Sequence, residues 1–167
     1  DLKTLKNHVG LLPTEPYFFS KITGGEYLQF MANTRKVRLK DVEEKNIFDL
    51  PLNQYASSYS TGMKKKLALM GILTQDNELF MLDEPFNGVD IQSNILIVEI
   101  IKELRKLHKT IIISSHIFST LAEVCDEILL LKNGEIKETT KQQDFISLER
   151  EMKQITIGDK LKRLNLH

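Results

Sequence analysis

The chain has 167 residues, 41% of them hydrophobic, which is room for one domain with a sizeable buried core. Lys plus Arg and Asp plus Glu each number 23, for a formal net charge of zero, and that balance excludes the broad basic footprint nucleic acid demands. The single cysteine, Cys125, excludes an internal disulfide. No stretch approaches the roughly 20 apolar residues of a membrane span and no signal-peptide pattern opens the chain, so a cytoplasmic location is expected.

In chain order, Leu2 to His8 reads as a linker ahead of a short apolar strand, Val9-Gly10-Leu11-Leu12. Residues 22–75 lack convincing strands and carry helical segments over Gly25–Thr34 and Leu39–Leu50, the first only partly amphipathic through Glu26, Leu28, Phe30 and Met31. Leu67 to Leu73 is apolar and helical in composition, preceded by Ser60-Thr61-Gly62-Met63 and three lysines. Lys64, Lys65 and Lys66 read most simply as a solvated first helical turn, with phosphate binding as the alternative. From Glu78 strand and helix alternate: strand Leu79–Leu82, helix Val89–Leu107, strand Thr110–Ser114, helix Phe118–Val124, strand Glu127–Leu131. That alternation predicts an α/β fold with a largely parallel sheet. In the long helix Ile91, Ile95, Val98, Ile101 and Leu104 recur at three and four residues and are expected to form its core face. Asn133-Gly134 predicts a tight hairpin turn from Glu127–Leu131 to Glu135–Glu138. Cys125, between helix and strand, is expected to serve packing. The tail from Thr140 reads as a helix with a short extension.

The chemistry concentrates where strands end. Leu79 to Leu82 delivers two adjacent carboxylates, Asp83 and Glu84, to the carboxyl end of a strand, the edge where ligands sit in open α/β sheets. Asp83 is suited to holding Mg²⁺ through hard oxygen ligands and Glu84 to orienting or deprotonating a water that attacks a phosphate. Alone, the pair is equally compatible with two solvated acids at a strand-to-turn junction. Ser60 and Thr61, with Gly62, open a helix whose free backbone N–H groups and positive dipole end can receive an anion. Thr110 to Ser115 is a β-branched strand ending in His116, again at a carboxyl end, where it could reach the same ligand as Glu84. An isolated histidine of this kind could also be a satisfied strand-end residue. Asp90 by itself is an ordinary helix-start acid.

Taken together, the order and spacing resemble the ATP-binding cassette ATPases of ABC transporters. Ser60-Thr61-Gly62-Met63 resembles the signature Ser-Gly-Gly-Gln, and Leu79 to Glu84 resembles the Walker B strand with its catalytic glutamate. Phe86-Asn87-Gly88-Val89-Asp90 is similar to the D-loop, His116 falls at the switch histidine, and Val9 to Pro16 looks like the Q-loop with Thr14 at the glutamine position. The likeness runs from about Val9 to about Ile136. Thr61 and Met63 depart from the common signature in a way that resembles exporters more than importers.

The resemblance implies a P-loop NTPase-like fold: a parallel sheet core over 1–21 and 76–138, an inserted helical subdomain over about 22–75, and a carboxyl-terminal helix and extension over 139–167. It implies ATP and Mg²⁺ as cofactors, with Asp83 holding the metal, Glu84 and His116 catalytic, and Ser60, Thr61, Gly62, Met63, Asp90 and Thr14 as nucleotide-binding positions. It also implies two partners, a second cassette in a homo- or heterodimer and an integral membrane permease that keeps the protein peripheral at the inner membrane face, with no nucleic acid. The family's G-x-x-x-x-G-K-[ST] loop, which cradles phosphates, is not in the sequence: none of the 8 glycines is followed by lysine. With Asp1 in place of Met, the expectation is a carboxyl-terminal portion of a longer ATPase, inactive alone, whose sheet exposes apolar surface where the nucleotide-binding strand and helix are missing. The alternative is a truncated or degenerate cassette that serves as a non-hydrolytic interaction module.

Overall fold

Three short apolar runs, far apart in sequence, lie side by side as strands in the computed structural model, which describes residues 2–151. They are β1 (Val9–Leu12), β2 (Leu79–Asp83) and β3 (Thr110–Ser114), all parallel in the order β1-β2-β3. Leu12 pairs with Leu82 and Leu82 with Ile113, so the carboxyl ends are level. Parallel strands alternate faces with period two. One face carries the buried Leu12, Phe80 and Leu82. On the other, Leu11, Met81 and Ile112 stand in register and are 56%, 40% and 53% exposed. This open apolar face agrees with the exposure expected of the sheet.

The chain divides into two compact units, Asp1–His116 and Ile117–His167. In the first, Leu2–Lys6 forms a short helix, α1, where a linker was expected. Helix α2 (Gly24–Thr34) starts at a reciprocal capping box: Thr23 Oγ1 accepts from the Glu26 N–H at 3.2 Å and the Glu26 carboxylate accepts from the Thr23 N–H at 2.8 Å. Helix α3 (Thr61–Leu73) is buried almost all round from Leu67 to Ile72 and packs on α2 and β1. The helix expected over Leu39–Leu50 is absent; only a single 3₁₀ turn, Glu43–Lys45, forms there. Local bonds win that competition. Asp41 accepts from the Glu43 N–H, and Asn46 both accepts from the Leu50 N–H at 2.8 Å and donates to its carbonyl at 2.9 Å. Leu50 also precedes Pro51, which disfavours the helical backbone.

Helix α4 (Ile91–Lys106) begins two residues later than expected because Asp90 caps it. Its buried row is Ser93, Ile97, Val98 and Ile101. Ile91 and Ile95 are therefore not core residues; they are 79% and 61% exposed, since packing on β3 selects the neighbouring i, i+4 stripe.

In the second unit α5 (Phe118–Val124) precedes β4 (Glu127–Lys132), which pairs antiparallel with β5 (Glu135–Lys141) and does not extend the parallel sheet. The predicted turn is present: Asn133 and Gly134 take φ of 54° and 78°, the left-handed pair a two-residue type I′ hairpin needs. β5 runs three residues past the expected end. Ile128, Phe145 and Leu148 form this unit's core, with Phe118, Leu121, Ala122 and the half-buried Cys125 packed on it. A helix runs over 145–151 as expected; the predicted extension lies outside the described residues.

Candidate functional site

The carboxyl ends of β2 and β3 bring the predicted acids together with His116. Asp83 closes β2 opposite Ser114 of β3, and its carboxylate accepts from the hydroxyls of both Ser114 and Thr14. Thr14 lies just past the end of β1, so all three strands contribute. These hydroxyl bonds, Ser114's above all, hold the Asp83 carboxyl below its ordinary range, assisted by the Lys65 ammonium. Two hydroxyl oxygens beside one carboxylate form a hard-oxygen set that suits Mg²⁺. Among the described residues no group of three or more His, Cys, Asp or Glu could enclose a metal.

Glu84 follows in a left-handed backbone, φ 48°, a conformation that costs a non-glycine residue roughly 1–3 kcal/mol and persists only where surrounding contacts enforce it. The contacts are present on both sides of the residue. Its N–H donates to the Ser114 carbonyl at 3.0 Å and to the Ser114 hydroxyl at 3.3 Å. Its carbonyl accepts from the Lys65 Nζ at 2.7 Å and from the Asn87 N–H at 3.2 Å. So held, the Glu84 carboxylate lies 3.0 Å from His116 Nδ1 through either oxygen. The His116 side chain is open to solvent and the Glu84 side chain largely covered.

A second cluster forms around the start of α3. Ser60 is its N-cap and accepts from the Met63 N–H at 3.3 Å, while Ser60 and Thr61 stay exposed. Gly62 is required by close approach: a Cβ there would lie 2.5 Å from the carbonyl oxygen of Gly88. Asp90 caps α4 by accepting from the N–H and the hydroxyl of Ser93, each at 2.8 Å, and pairs with Lys66 at 3.1 Å. The Ser93 bonds and then Lys66 keep the Asp90 carboxyl far below the usual carboxylate range. The structure thus places Thr14, Asp83, Glu84 and His116 in one cluster. Ser60, Thr61, Gly62, Met63 and Asp90 form another.

The lysine run is not a solvated turn. Lys65 is 2% exposed, and Lys66 is mostly covered, its ammonium 5.9 Å from the centre of the Phe48 ring. The signal was in the sequence: Lys65 lies three, four and seven residues before Ala68, Leu69 and Ile72, on their face of the helix. Ser114 was also missed, since a strand-end serine carries no pattern of its own. Its position opposite Asp83 follows only from the strand register.

A parallel sheet with an acid pair at its carboxyl edge and helices on one face defines a P-loop NTPase-like α/β fold. The model of the ABC transporter family matches residues 1–87, and the chain belongs to that family. It is 33% identical over 167 residues to the bacitracin transport ATP-binding protein BcrA of Enterococcus faecalis, covering 95% of this chain and 53% of that one. The SkfA peptide export ATP-binding protein SkfE of Bacillus subtilis is 28% identical over 141 residues, covering 80% of this chain and 59% of that one. A solved ATP-binding subunit of an ABC transporter superposes with a TM-score of 0.75 at 23% identity, over 90% of this chain and 65% of its own. The chain spans about half the length of the curated relatives it matches. Among the described residues no helix is long and apolar enough to cross a membrane.

Proposed function

We propose that this chain is part of the ATP-hydrolysing subunit of an ABC exporter, in which Glu84 activates the attacking water. The observation that carries the reading is the Glu84–His116 pair beside Asp83, with the Glu84 backbone held from both sides. The Glu84 carboxylate orients the water and draws its proton. The Nδ1 contact with Glu84 fixes the His116 ring and turns its Nε2 edge toward the position of the transferred phosphate. Asp83, with the Thr14 and Ser114 hydroxyls, would hold Mg²⁺, whose charge neutralises phosphate oxygens when bound. Export is favoured by Thr61 and Met63 in the signature and by the likeness to a peptide export protein.

The phosphate-cradling loop, in this reading, belongs to polypeptide outside the 167 residues. The greater length of the relatives and the open apolar face of Leu11, Met81 and Ile112 support that. Residues 22–75 form the helical subdomain that meets a membrane permease, and the exposed Tyr17, Phe19 and Phe30, with Phe19 edge-to-face against each of the other two, offer an apolar surface for it. A second cassette supplies the other half of each nucleotide site, the exposed Ser60 and Thr61 facing its phosphates. In the full-length protein, Glu84→Gln should abolish steady-state ATP hydrolysis and leave ATP binding intact. Unchanged turnover would remove Glu84 from this role.

A further inference from the structure

Lys65 is not one of the groups that would touch the nucleotide, yet it is among the most deeply buried of the described side chains. It projects from the second turn of α3 and places its ammonium 2.7 Å from the backbone carbonyl of Glu84. Burying a lysine is unfavourable, and burial does pull its pKa down, against the opposing attraction of the Glu84, Asp83 and Glu15 carboxylates. A methionine or leucine would fill the same space without that penalty. What the amine adds is a strong hydrogen bond to one particular carbonyl.

That carbonyl belongs to the residue with the left-handed backbone. Rotating the Glu84 peptide out of that conformation would turn the carbonyl away from Lys65 and swing the carboxylate away from His116. The Ser114 bonds fix only the N–H side of Glu84. On the carbonyl side, the Asn87 N–H bond, at 3.2 Å, comes from three residues along the same turn and turns with it. Lys65 is the contact on that side that comes from a separate, packed element.

We propose that Lys65 is a positioning residue that aims the Glu84 carboxylate by hydrogen-bonding the Glu84 carbonyl, and so ties the helix that starts at Ser60 to the acid. The proposal rests on the reading of Glu84 as the water-activating group. It predicts a loss in turnover rather than in nucleotide affinity, because no phosphate contact is removed.

The test compares the full-length protein with K65M, K65Q and E84Q, measuring kcat and KM for ATP and checking fold by circular dichroism. K65M keeps the volume and removes the donor; kcat should fall tenfold or more with KM within twofold of wild type. K65Q keeps a donor and removes the charge, and should recover most of the loss. Wild-type kcat in K65M, or a raised KM at unchanged kcat, would overturn the proposal. Should K65M not fold, K65Q decides: kcat within threefold of wild type supports the hydrogen bond, and a tenfold loss overturns it. E84Q separates the two claims. Full turnover in E84Q sinks the reading of Glu84 itself, whereas an inactive E84Q beside a fully active K65M sinks only the role of Lys65.

Discussion

Replacing Gly62 with alanine sets two effects of opposite sign against each other. Inside a helix the change from glycine to alanine is worth up to about 1 kcal/mol in favour of the folded state, and Gly62 is the second residue of α3. Against this, the new methyl would lie 2.5 Å from the Gly88 carbonyl oxygen, where ordinary contact begins near 3.4 Å. The obstructing atom is backbone, so the loop from Phe86 to Asp90 must move as a whole, and it is held by the Lys66–Asp90 pair and by the cap on α4. Overpacking of this kind costs about 1–3 kcal/mol. The net expectation is a destabilisation of about 1 kcal/mol, which lowers the midpoint of a domain of this size by roughly 2–4 °C. Thermal and denaturant unfolding of the full-length wild type and Gly62→Ala measure it directly. A midpoint raised by several degrees would show that helix propensity outweighs the contact and that the Gly62–Gly88 approach is not tight.

Two further outcomes follow from packing and charge. Asp90 has a depressed pKa in the folded state, so its contribution is complete above the unfolded value of about 3.9 and is lost as pH falls below it. Asn still caps a helix but carries no charge for Lys66 and cannot titrate, so Asp90→Asn should be less stable than wild type near pH 7, with the gap closing as pH falls from 5 to 3; a gap that stays constant with pH would refute the assignment. Ile101 is fully buried on α4 while Ile95 on the same helix is exposed. Ile101→Ala should cost about 2–5 kcal/mol in denaturant unfolding and Ile95→Ala less than about 0.5, and equal costs would mean that Ile95 is packed as deeply as Ile101.

The three parallel strands, α2, α3, α5 and the Asn133-Gly134 hairpin were legible because each carries a local signature: an apolar run, a cap, or a turn dipeptide. Leu39–Leu50 misled because helix-forming composition says nothing of Asn46 and Asp41 bonding to nearby backbone. Periodicity placed Val98 and Ile101 of α4 in the core but could not choose Ile97 over Ile91 and Ile95, which are equally apolar. At the site, Asp83, Glu84 and His116 could be read as strand ends. The hydroxyl contacts of Thr14 and Ser114 to Asp83, and the reach of Lys65 to Glu84, depend on how strands align and how α3 packs, which no local window contains.

The pairing of β1 with β2 has a kinetic consequence. Val9 and Leu79 are partners in the ladder, and His8 meets Glu78 at 3.1 Å across a sequence separation of 70. Closing so long a loop costs about 4 kcal/mol of chain entropy before any contact repays it. Gln75 reaches Met31 of α2 across a separation of 44, and β2 meets β3 at Leu79 and Thr110 across a shorter one still. Local helices and the β2–α4–β3 unit are thus expected to form early on the folding path, with β1 docking late. Destabilising changes in β1 should therefore speed unfolding and leave the folding rate nearly untouched.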